Sequence, residues 1–90
     1  MGQPEDDAEF EQMDHPQLRA YLKRLEINLA QVKRRLREFE ARFGAETEEM
    51  FSRVSAAEIE ADSDLSEWAG EREMMRRLEE QRAALKKRLE

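Results

Sequence analysis

The hydrophobic positions between residues 18 and 43 fall into one unbroken rhythm. Leu18, Leu22, Leu25, Leu29, Val32, Leu36, Phe39 and Phe43 are spaced alternately by four and three residues. That is a heptad seam, with Leu22, Leu29, Leu36 and Phe43 at a and Leu18, Leu25, Val32 and Phe39 at d. A 3.5-residue repeat keeps one stripe of a helix against a partner helix along its whole length. Each seam residue contributes about 1.5–3 kcal/mol when buried and nothing if the helix stands alone. The pattern predicts a helix over 16–43 that works by association, and these eight residues are the expected oligomer seam. No polar residue interrupts a or d, so strand number and orientation are not written into the seam.

The ends of this helix carry their own signals. Asp14 or His15 can cap its start, and Pro16 suits the first turn, where its missing N–H costs nothing. Gly44 is the residue expected to end it in a left-handed conformation.

After Gly44 the rhythm breaks. Thr47 reads as an N-cap for a short helix over 48–55, with Met50, Phe51 and Val54 on one face. Residues 56–62 read as an acidic connection with Ile59 as its one apolar anchor. A weaker stripe follows: Leu65, Trp68, Met75, Leu78, Leu85 and Leu89, with Met74 broadening it. Its gaps at Arg72 and Arg82 are places where arginine stems lie along apolar surface with their heads in water. The predicted fold is all-α: two long helices, about 16–43 and 64–89, joined by a short helix and linker. They pack as a coiled-coil-like antiparallel hairpin that oligomerises.

Composition adjusts this picture in three ways. The chain has 90 residues, enough for one small domain, and 42% are charged. Chains this short often gain burial by oligomerising. Second, cysteine is absent and there is a single histidine, His15, so thiolate and zinc chemistry have no ligands. Third, no apolar run approaches the roughly 20 residues of a membrane span, and the acidic start is not a signal peptide. A cytoplasmic protein is expected.

The net charge of −6 conceals blocks. Residues 1–14 carry −6, residues 15–43 carry +5, residues 44–67 carry −7 and residues 68–90 carry +2. Basic helices alternate with acidic segments, which means internal neutralisation or a face kept for a charged partner. Residues 1–13 read as an acidic disordered arm and 14–90 as the helical domain. Phe10 and Met13 in the arm read as a docking segment, as part of an ordinary tail, or as a staple on the helix start.

Little here suggests catalysis. His15 sits before Pro16 at a helix start, where capping explains it better than a base held in a pocket. Glu58, Glu60, Asp62 and Asp64 lack the glycine turn and ligand spacing of a calcium loop, so a solvated linker is the better reading. No cofactor, metal or catalytic residue is assigned. Lys33, Arg34, Arg35 and Arg37 form the densest basic cluster, and a basic helix can neutralise phosphates. However, Lys33 and Arg35 hold e and g positions, where they flank the seam and can pair with Glu26 or Glu40 of a neighbour. Trp68 reads as a core anchor and as a binding hot spot at once.

Several of these residues form a longer pattern: Arg42-Phe43-Gly44, Thr47-Glu48-Glu49-Met50-Phe51, Glu58-Ile59, Asp62, Asp64, then Glu67-Trp68 followed by Met75 and Leu78. This half of the chain resembles a group of small bacterial and archaeal proteins found as the antitoxin-like member of toxin–antitoxin pairs. Ala56-Ala57 departs from the pattern, which has a glycine before the acid. The resemblance implies an acidic helical protein that blocks a toxin by occupying its surface. Phe51, Glu58, Asp62, Asp64, Glu67 and Trp68 are the candidate contacts for a small basic partner. Two other readings remain: a self-assembling coiled-coil adaptor whose partner is itself, and a weak nucleic-acid binder acting through the basic helix.

Overall fold

The computed structural model describes residues 13–90. The expected disordered arm therefore lies, but for Met13, outside the described residues. Four helices follow in order: α1 (His15–Phe43), α2 (Thr47–Arg53), α3 (Ala56–Ala61) and α4 (Ser63–Leu89). No strand occurs among the described residues.

Helix α1 begins at a capping box. The Asp14 carboxylate accepts from the Gln17 backbone N–H, and the Gln17 side chain accepts from the Asp14 backbone N–H. Met13, just before the cap, packs against the core. The helix ends where the seam predicts, at Gly44, whose φ of 65° is left-handed.

Helices α1 and α4 run antiparallel and pack along their length. Opposed pairs fix the register: Glu26 meets Arg82, Lys33 meets Glu79, Arg35 meets Glu71 and Arg42 meets Asp64. The seam is thus closed within one chain. Leu18, Leu25, Leu29, Val32, Leu36 and Phe39 are buried against Trp68, Leu78 and Leu85 of α4. Leu22 is half-buried and Phe43 remains 37% exposed. The charges flanking the seam follow the same rule. Glu26, Lys33 and Arg35 find partners on their own α4, where the sequence allowed for a neighbouring molecule.

The connection is more structured than the sequence reading had it. Residues 56–62, expected as a linker, contain α3, capped by a second box in which Ser55 and Glu58 exchange hydrogen bonds. Ala56-Ala57, the departure from the antitoxin-like pattern, forms the first turn of this helix. Asp62 then caps α4 by accepting from the backbone N–H of Asp64 and Leu65. The Ser66 hydroxyl donates to the Ile59 carbonyl at 2.6 Å, tying α3 to α4.

Candidate functional site

The turn end of the hairpin is built around Trp68, which has no exposed surface. Its ring stacks with Phe39 at 5.6 Å and with Phe43 at 5.4 Å between centroids, and Phe51 meets it edge-on at 5.4 Å. Such pairs contribute about 0.5–1.5 kcal/mol each beyond the area they bury. One ring comes from α4, two from the last turns of α1 and one from α2, so the cluster holds the turn closed.

A buried indole N–H needs an acceptor. Trp68 Nε1 donates to Thr47 Oγ1 at 3.0 Å, and Thr47 Oγ1 donates in turn to Glu40 Oε2 at 2.9 Å. The same carboxylate oxygen accepts from the Thr47 backbone N–H at 2.8 Å. Thr47 was expected to be an N-cap. It is instead the first residue of α2, with Glu46 at the cap position and no cap hydrogen bond from a side chain. The capping charge arrives from Glu40, seven residues back across the Gly44 turn. This frees the threonine hydroxyl to receive the tryptophan.

Two arginines cover the aromatic cluster. Arg42 lies 5.3 Å from the Phe39 and Phe43 centroids and pairs with Asp64 at 3.1 Å. Arg72 lies 5.4 Å from the Phe51 centroid and grips Glu48 with two bonds, at 2.7 and 2.8 Å. The hydrogen bond from Arg72 holds the Glu48 carboxyl below the ordinary carboxylate range, against a smaller opposing effect of burial. The same bond raises the Arg72 guanidinium above its already high value. Arg72 thus fills the first gap in the α4 stripe by lying across Phe51. Arg82 fills the second, 3.5 Å from Glu26.

The candidate partner contacts separate into two groups. Trp68 is wholly enclosed and Phe51 half-enclosed, so both support the turn from inside. Glu58, Asp62 and Glu67 are exposed, and Asp64 is half-exposed. Glu58 and Asp62 cap helices, and Asp64 holds Arg42. Among the described residues no ion pair reaches Glu46, Glu60 or Glu67. Of these three, Glu67 lines a shallow cavity of about 340 Å³ together with Phe39, Arg35, Arg42, Glu38 and Glu71.

Sequence reasoning missed Glu40 and Arg42 as parts of this cluster; Arg72 was read as lying along the apolar stripe, without its partner Glu48. The only signal for Glu40 was an acid at an e position one heptad before Thr47. Among the described residues no group of acids or histidines is arranged to hold a metal ion, and no helix is long and apolar enough to cross a membrane.

Compared with known protein families, curated proteins and solved structures, the chain matches none. The functional reading therefore stands on the residues themselves.

Proposed function

We propose that this chain is a non-enzymatic helical binding protein that neutralises a small basic protein by covering its surface, in the manner of an antitoxin. One observation carries the reading. Residues 44–67 hold a charge of −7, spread over α2, α3, the residues that precede them and the first turns of α4, at the end of the hairpin where the aromatic cluster sits. A partner therefore meets carboxylates whose backbone is already folded, which lowers the ordering entropy lost on binding. Charge of one sign on one end of a molecule also steers an oppositely charged partner in diffusional encounter. The resemblance to antitoxin-like proteins covers this same half of the chain. Glu46, Glu60 and Glu67 supply the outer contacts in this reading; Phe51 and Trp68 hold α2 in position, and the Ser66 hydroxyl on the Ile59 carbonyl holds α3.

The test is recovery of the partner. The protein is tagged at its C-terminus, expressed in its native host and purified after nuclease treatment. One small basic protein in fixed ratio supports the reading, and its release by Glu60→Lys plus Glu67→Lys places the contact. Recovery of the protein alone, as a defined oligomer, supports self-assembly instead. That second reading draws on Ile27, Phe43 and Met74, which are 52%, 37% and 39% exposed.

A further inference from the structure

On one face of the turn end, ion pairs cross-link α1 and α4 like the rungs of a ladder. Arg42 pairs with Asp64 at 3.1 Å, and Arg35 pairs with Glu71 at 2.8 Å. Midway between these rungs lie Glu38 and Phe39 of α1 and Glu67 of α4. Here acid meets acid across the cavity of about 340 Å³ that all of them but Asp64 line. Glu38 and Glu67 are exposed, and neither has an ion pair or hydrogen bond among the described residues. Glu67 and Glu71 also stand four residues apart on α4, where like charges destabilise a helix. Glu71 Oε2 is buried without a hydrogen-bond partner. The lining thus holds three carboxylates and two cations, and both cations are already committed. Arg42 is held further by the Phe39 and Phe43 rings, 5.3 Å from each centroid. An anion would have to break these pairs to bind, whereas a cation completes the missing rung.

We propose that this cavity receives one arginine side chain of the basic partner protein. Its guanidinium donates to Glu38 on one side and Glu67 on the other, between the two existing rungs. A planar fork with five N–H donors serves two carboxylates at once, which the compact ammonium of a lysine does less well. The methylene stem lies on Phe39, the one apolar side chain in the lining. A space of about 340 Å³ falls at the small end of ligand pockets and suits a single side chain. The floor is firm, because Phe39 stacks on Trp68 at 5.6 Å between centroids. Arginine is also enriched among the residues that carry the energy of protein interfaces. That the arginine comes from a partner protein rests on the function proposed above; the preference for a cation rests on the cavity alone.

The probe is N-acetylarginine amide, titrated into the full-length protein at low ionic strength. Backbone amide shifts in nuclear magnetic resonance spectra are the readout. Saturable shifts are expected within residues 35–42 and 64–71, with weaker binding of N-acetyllysine amide. Glu38→Gln plus Glu67→Gln should weaken the arginine probe about tenfold, the loss of one charge-assisted hydrogen bond. Both side chains are exposed, so this variant keeps its fold, which the same spectra check. Glu80→Gln, an exposed acid of α4 outside the cavity, should bind the probe like the parent. Shifts that never saturate, or that fall equally on exposed acids elsewhere, overturn the proposal. So does equal binding of the two probes, or a double variant that binds like the parent. Co-purification keeps this site and the proposed function apart. A basic protein recovered equally well with the double variant overturns the arginine site and leaves the proposed function standing. Saturable probe binding with no protein recovered removes the proposed function and the arginine's source, and leaves only cation recognition.

Discussion

The two ends of the hairpin are stabilised in different ways. Towards the open end, α1 and α4 meet through aliphatic side chains: Leu18, Leu25, Leu29 and Val32 with Leu78 and Leu85. Any sequence with apolar residues at those heptad positions would pack similarly, and flanking ion pairs there are long and exposed. At the turn end, four aromatic rings, a threonine and a carboxylate depend on one another. Remove the threonine hydroxyl and the buried indole N–H loses its acceptor. The shaft tolerates change in small steps, and the turn end fails as a unit.

The largest expected effect follows from emptying the turn end. Trp68→Ala should cost about 3–5 kcal/mol, in line with large aromatic truncations in cores. Against a total of about 5–13 kcal/mol for a chain of this length, at 0.05–0.15 kcal/mol per residue, that leaves α2 and α3 unfolded or the whole chain marginal. Urea titration followed by circular dichroism measures it. Leu85→Ala, as deeply buried in the shaft, is the matched control, with a cost of about 2–5 kcal/mol. If the leucine change melted α2 and α3 while the tryptophan change spared them, the contrast between the ends would be wrong.

Thr47→Val isolates the relay from the packing. It keeps the shape, strands the indole N–H and removes one of the two hydrogen bonds to Glu40, whose bond from the residue 47 backbone N–H remains, and should cost about 1–3 kcal/mol. A variant as stable as the parent would mean the relay contributes nothing. Gly44→Ala probes the backbone at the same place. No atom stands within 4 Å of the added Cβ, so the cost comes from the left-handed φ alone, about 1–2 kcal/mol.

The smallest effect is ionic. Glu48 has its pKa lowered in the folded state by Arg72, so its contribution is present above the unfolded carboxyl value and is lost as pH falls through the folded one. Acidification below the ordinary carboxylate range should therefore loosen α2, and Glu48→Gln should flatten that part of the pH profile. Shaft pairs are a gentler case: Lys33→Gln should change stability by less than about 1 kcal/mol.

The shaft was the more legible half. The four–three spacing in α1, Pro16 and Gly44 locate α1 to within a residue, because each acts through its own backbone and the next turn. The pairing of α1 with α4 was legible from two long helices with a short connection, while no polar residue at a or d of α1 says whether a second molecule adds to it. α3 was legible and passed over: Ser55-Ala56-Ala57-Glu58 is a capping box, hidden by the acidic character of the residues after it. The relay was not legible at all. It needs Glu40 and Thr47 brought together across a turn and Trp68 delivered from 21 residues further on, which no local pattern encodes.

The most direct test of a hairpin that closes on itself is hydrogen exchange at the single Trp68 indole, read as one resonance at two protein concentrations well apart. The structure has this N–H fully enclosed and bonded to Thr47. Exchange should be strongly slowed, to the same degree at both concentrations. An indole that exchanges as fast as an exposed one, or whose protection disappears on dilution, would show that the seam needs a second molecule to close.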